Sequence, residues 1–351
     1  MRLRLPSSWL LLLALFAAVP AASRAEPTRP PRAAEQLAEA ALEQLPGTAA
    51  AGTLSAGRMQ VAVRGTSRGT TGEPVFEIGS ISKVFTGLLL AQAVENGELR
   101  LDQQLGELLA TRVKFASRRT AGITLGQLVT HTSCLPNFPE NPNLVPGASQ
   151  ITSYERAELW RALGSVTLPR SLSCSSQYSN FGFAVLGELL AQRAGRPWHE
   201  LVRLRITQPL GMNDTGMGAQ DARLVAGFVR AVPARHWKVQ AFAGAGGLRS
   251  TASDLLLFSQ ALMDGRQGPL GPAAERLVTG LAPFGTGKAR IGYAVVLPDA
   301  PSPVWAHNGI TGGHVAEWMV WPERREAVVL LVSNLAAPAR GIARSMIQAP
   351  R

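Results

Sequence analysis

The chain has 351 residues, of which 46% are hydrophobic and 17% charged, with a formal charge of +11. That balance suits a folded globular protein with a large core and excludes wholesale disorder. Its arginines are scattered singly or in pairs, with no basic stripe interleaved with aromatics, so no nucleic-acid partner is expected.

The first 25 residues read as a signal peptide. Arg2 and Arg4 precede an apolar run over 9–19, and Ser23-Arg24-Ala25 offers a small-residue cleavage site after Ala25. An uncleaved anchor is the alternative. Cleavage would remove three arginines and leave a charge of +8. No later segment is apolar for long enough to cross a bilayer, so the mature chain is expected to be exported, periplasmic or secreted, without an integral membrane segment. A monomer is expected.

Residues 26–32 read as a linker, and 33–45 as a helix stopped by Pro46-Gly47, so that 26–54 stands before the main domain. Short strands are predicted over 58–64 and 74–78, then a helix over 81–96 ending at Gly97. The middle is mostly helix and loop: helices over 123–130, 154–163, 181–194 and 252–263, the last capped by Ser250 or Ser253, and a Pro- and Asn-rich loop over 135–150. Strands return over 291–297, 314–321 and 327–333, with turns at 298–303 and 322–325. The pattern predicts an α/β fold. An antiparallel sheet built from both ends is flanked by helices, with a mostly helical insert. The main domain would run over 55–348, its α/β part at 55–98 and 245–348 and its insert at 99–244.

Three runs carry chemistry. In Gly79-Ser80-Ile81-Ser82-Lys83 a serine opens a helix and a lysine follows one turn later on the same face. A lone serine is a weak nucleophile and needs such a neighbour, while the helix N-terminus offers N–H groups to an oxyanion. Tyr178-Ser179-Asn180 stands at the mouth of the next long helix, and the chain has only 3 tyrosines. Its phenol could serve as a base if Lys83 lowers its pKa, and Asn180 brings an amide. His307-Asn308-Gly309 falls between predicted strands, where glycine admits a ligand close to the backbone. Taken singly, each run has a structural explanation: a chance Ser-x-x-Lys, a core tyrosine beside a cap, a Gly-rich hairpin.

In combination and in this order, the three runs resemble the signature motifs of the class C β-lactamase and DD-peptidase family, which includes bacterial esterases. The runs 128–136, 209–212, 246–251 and 329–334 match that family as well, so the resemblance covers roughly 55–335. It implies a β-lactamase/transpeptidase-like fold and an acyl-enzyme at Ser80, with Lys83 and Tyr178 moving the proton. It implies that Asn180, His307, Asn308 and Gly309 bind substrate, and that the backbone N–H groups of Ser80 and Ile310 form the oxyanion hole. The implied substrates are β-lactams or D-alanyl peptides of peptidoglycan, with small carboxylic esters or a non-catalytic muropeptide-binding role as alternatives. No cofactor or metal is expected; the remaining histidines show no ligand spacing. Two departures stand out. His307-Asn308 replaces the Lys-Thr of class C β-lactamases, and Cys134 replaces a glycine. Cys134 and Cys174 could form one bridge beside the site or remain two buried thiols.

Overall fold

The computed structural model describes residues 34–65, 72–140, 154–168, 174, 176–218 and 222–349, all within one compact unit, Pro31–Arg351. The signal-peptide and linker assignments, and most of the 135–150 loop, lie outside the described residues.

In chain order the strands are β1 (Thr48–Ser55), β2 (Arg58–Gly65), β3 (Phe76–Glu77), β4 (Gly227–Val229), β5 (Val232–Ala234) and β6 (Arg249–Ser250). They continue with β7 (Ala282–Phe284), β8 (Ala289–Ile291), β9 (Val296–Leu297), β10 (Trp305–Ile310), β11 (Val315–Trp321) and β12 (Glu326–Val332). Eight of them form one sheet in the order β2-β1-β12-β11-β10-β9-β8-β7, antiparallel at every pairing. Strands from both ends of the chain thus share one sheet, as the sequence pattern predicts, but they meet through β1, which it does not, and β3 stays outside that sheet. β3 pairs with β6, and β4 with β5.

Both faces of the sheet are covered, which explains the nearly unbroken apolar run of β12. Ala327, Val329 and Leu331 point into one core with the Ser82–Glu95 and Ala252–Met263 helices. Val328, Leu330 and Val332 point into another with the Ala34–Leu42 and Ala339–Gln348 helices. Strand alternation sends successive side chains to opposite faces, so a strand buried twice needs apolar residues throughout. The Ser82–Glu95 helix is buried on nearly every side, consistent with its lack of a polar stripe.

Several expectations are corrected. β1 occupies 48–55, inside the stretch read as linker and helix; its run of alanines carries little strand signal. The single strand expected over 291–297 is two, because Ala294 turns the chain with φ of 72°. Thr251, not Ser250 or Ser253, caps the Ala252–Met263 helix by accepting from the Asp254 N–H. His307-Asn308-Gly309 lies within β10 rather than between strands.

Candidate active site

Ser80 sits in a single 3-10 turn, Gly79–Ile81, that leads directly into the Ser82–Glu95 helix. Gly79 holds a φ of +48°, and a Cβ there would come within 2.8 Å of the Ile310 backbone nitrogen. Gly309 faces it: a Cβ on that residue would lie 3.0 Å from the Ser80 nitrogen. Two glycines therefore let the turn and β10 touch backbone to backbone, and the Ser80 and Ile310 amides stand on neighbouring elements. Ser80 remains partly exposed.

Lys83 follows one turn later and is fully buried. Its Nζ lies 3.0 Å from Ser80 Oγ, 2.6 Å from Asn180 Oδ1 and 2.5 Å from the Ala245 carbonyl oxygen. Tyr178 completes the group, its hydroxyl donating to Ser80 Oγ at 2.6 Å. The Lys83 Nζ also stands 4.9 Å from the centre of the Tyr178 ring.

The Tyr178-Ser179-Asn180 run is held by its own helix cap and by residues before it. Ser179 Oγ accepts from the Gly182 N–H at 2.9 Å and donates to the Pro136 carbonyl at 2.8 Å. Asn137 Oδ1 accepts from Asn180 Nδ2 at 2.8 Å, which turns the Asn180 oxygen toward Lys83. His131 accepts the Ser179 N–H on Nδ1 at 3.1 Å and lies against the Tyr178 ring at a centroid distance of 4.4 Å. Sequence reasoning left Asn137, the Ala245 carbonyl and this positioning by His131 unassigned. A backbone carbonyl carries no residue signal, and Asn137 looks like an ordinary loop residue.

Burial governs the titration of the site. It holds Lys83 well below the ordinary lysine range and pushes Tyr178 up, although the Ser80 hydrogen bond partly offsets the second effect. The expectation that Lys83 lowers the tyrosine is thus corrected: desolvation outweighs the neighbouring amine. Burial, helped by Lys83, also takes His307 down to about 4.

On β10, His307 pairs with Trp318 and Asn308 with Glu317. Alternation sends those two pairs to opposite faces, so Asn308 shares a face with Ala306 and points away from His307. His307 Nδ1 lies 2.7 Å from the Asn308 carbonyl oxygen. An oxygen there can only accept, so the hydrogen is on Nδ1 and Nε2 of the neutral ring is a bare acceptor.

Cys134 and Cys174 form a disulfide. It joins the segment just after His131 to the one just before Tyr178. Among the described residues, one cluster has metal-ligand chemistry: Glu77, His236 and His314.

The profile of the Beta-lactamase family matches residues 34–349. The chain belongs to the Beta-lactamase family. Among curated relatives, the D-alanyl-D-alanine-carboxypeptidase/endopeptidase AmpH of Escherichia coli (strain K12) is 28% identical over 210 residues, covering 59% of this chain and 54% of that protein. The chain therefore spans about half the length of the curated relatives it first matches. Among solved structures of the fold, a class C beta lactamase from Rhodobacter sphaeroides aligns with a TM-score of 0.74 at 22% identity, covering 89% of this chain and 98% of that one. A D-alanine carboxypeptidase AmpC from Burkholderia cenocepacia aligns with a TM-score of 0.71 at 25% identity, covering 89% and 96%. The expected β-lactamase/transpeptidase-like fold is thereby met.

Proposed function

We propose that the chain is an exported serine hydrolase that forms an acyl-enzyme at Ser80, acting on β-lactams or on D-alanyl peptides of peptidoglycan. The observation that carries this reading is the bonded group Tyr178–Ser80–Lys83 beside two backbone amides. Export is supported by the disulfide, which persists in oxidising compartments. Among the described residues no helix is long and apolar enough to cross a membrane.

The hydrogen bonds support a direction for the proton. Asn180 Oδ1 and the Ala245 oxygen only accept, so they take two N–H groups of Lys83. A neutral amine then has its lone pair left for Ser80, and burial favours that neutral form. Tyr178 donates to Ser80, which frees the serine proton for Lys83. In the acylation step Ser80 Oγ bonds to the substrate carbonyl carbon as its proton moves to Lys83. The oxyanion accepts from the Ser80 and Ile310 N–H groups. Tyr178 gives its phenol proton to the leaving nitrogen or oxygen as that bond breaks, and Lys83 restores it. Each oxyanion donor of this kind contributes about 3–4 kcal/mol.

A second reading, hydrolysis of small carboxylic esters, is favoured by the third motif. The neutral His307 presents a bare acceptor, and Asn308 faces away. Neither suits recognition of a substrate carboxylate. Steady-state rates on a chromogenic cephalosporin, a D-Ala-D-Ala peptide and a short-chain nitrophenyl ester separate the two. Ester turnover alone would remove the β-lactam and peptide reading.

A further inference from the structure

Glu77, His236 and His314 reach one place from distant parts of the chain. Glu77 is on β3, three residues before Ser80. His236 precedes the short Ala243–Gly246 helix, and His314 lies in the turn between β10 and β11. One ligand atom from each lies within 4.8 Å of the other two.

Hydrogen bonding accounts for only part of the group. His314 is 1% exposed, and neither ring nitrogen has a hydrogen-bond partner. Glu77 is 4% exposed; its Oε1 accepts from the Trp237 N–H at 2.7 Å, while Oε2 is unpartnered. His236 Nδ1 lies 3.4 Å from Glu77 Oε1, an ion-pair distance if the imidazole is protonated, but too poorly aligned for a good hydrogen bond. A buried polar atom left unpaired costs about 1–3 kcal/mol, so several converging on one point call for a shared partner. Two imidazoles and a carboxylate are the donor set of zinc and similar borderline cations.

We propose that Glu77, His236 and His314 form a binding site for one zinc-class divalent cation. Metal–ligand bonds of about 2 Å set tetrahedral donors about 3.3 Å apart, so donor atoms now as much as 4.8 Å apart draw together by up to about 1.5 Å on binding. His236 has the room to move, since its side chain is 32% exposed. The fourth position is left for water. Such an ion would tie together β3 leading into Ser80, the turn after Ile310, and the segment leading to Ala245, whose carbonyl holds Lys83. Its role is to brace the frame of the active site, outside the proton path. The site stands independently of the hydrolase reading.

The test is metal binding by the full chain after chelator treatment and desalting. Zn²⁺ is titrated against a chromogenic zinc chelator, with thermal unfolding followed in parallel. Co²⁺ is used separately to report tetrahedral coordination by its visible absorption. One equivalent of Zn²⁺ is expected, with a raised Tm. His236→Ala should weaken binding by about 100-fold or more while the metal-free variant unfolds at the wild-type temperature. Glu77→Gln should do the same to binding. Absence of stoichiometric Zn²⁺ binding, or binding equally tight in His236→Ala, overturns the site.

Discussion

Gly309 and Ile78 leave no space between them: a Cβ on Gly309 would stand 1.9 Å from the Ile78 carbonyl oxygen. The contact joins β10 to the chain just before Ser80, and it sets the Ser80 and Ile310 amides on neighbouring elements, as the proposed oxyanion hole requires. Gly309→Ala must therefore separate the two elements. We expect kcat to fall by about 10²–10³, as for loss of an oxyanion donor, with far-UV circular dichroism unchanged. Wild-type kcat in this variant would detach the contact from catalysis.

Lys83 and Tyr178 fix the form of the pH profile. Lys83 must be neutral to accept the serine proton, so the rate rises with pH as that amine loses its proton and is flat above. Burial lowers the lysine, so this acid limb lies well below the ordinary lysine value. Burial raises Tyr178, so its loss of the phenol proton brings no alkaline limb below about pH 10. Measuring kcat/KM against pH checks both limbs. His307 titrates at about 4, so removing it by His307→Gln should leave any limb above pH 6 in place.

The disulfide closes a separation of 40 residues in sequence. Constraining a loop of that size in the unfolded chain contributes about 4 kcal/mol on the chain-entropy argument. Cys174→Ser should lower unfolding stability by about 2–4 kcal/mol in urea titrations. Alkylation of the oxidised wild type should add no mass.

Glu317 is buried on the far face of β11, and burial raises it to about 7 despite the influence of Arg340. A carboxyl that ionises at 4.5 when unfolded and about 7 when folded holds its proton longer in the folded state. It therefore favours folding at low pH, and that contribution is lost as pH rises through this window. Glu317→Gln removes the penalty and should add up to about 3 kcal/mol at pH 8, with little change at pH 4. Urea unfolding at the two pH values measures the difference; equal effects at both would contradict the assignment.

Local and tertiary information divide clearly in this chain. Ser80 and Lys83 are one helical turn apart, so their pairing is legible from spacing alone. Tyr178 and Asn180 are recognisable only through the order of the three runs, because nothing local says that a helix mouth lies near Ser80. β1 escaped because Thr48–Ser55 carries three alanines and a glycine in a row, weak strand formers, and its strand state comes from pairing with β12 on one side and β2 on the other. The facing of Asn308 depends on strand register, which the run His307-Asn308-Gly309 does not encode. Glu77, His236 and His314 meet only in the folded chain, from positions far apart in sequence, so no spacing rule could join them.

The central claim is that Ser80 becomes acylated, and intact-mass spectrometry of the protein mixed with a cephalosporin and, separately, an activated ester tests it most directly. The account predicts a covalent adduct or turnover with at least one of them, both absent in Ser80→Ala. Wild-type turnover by Ser80→Ala, or neither adduct nor turnover in the folded wild-type protein, would contradict it.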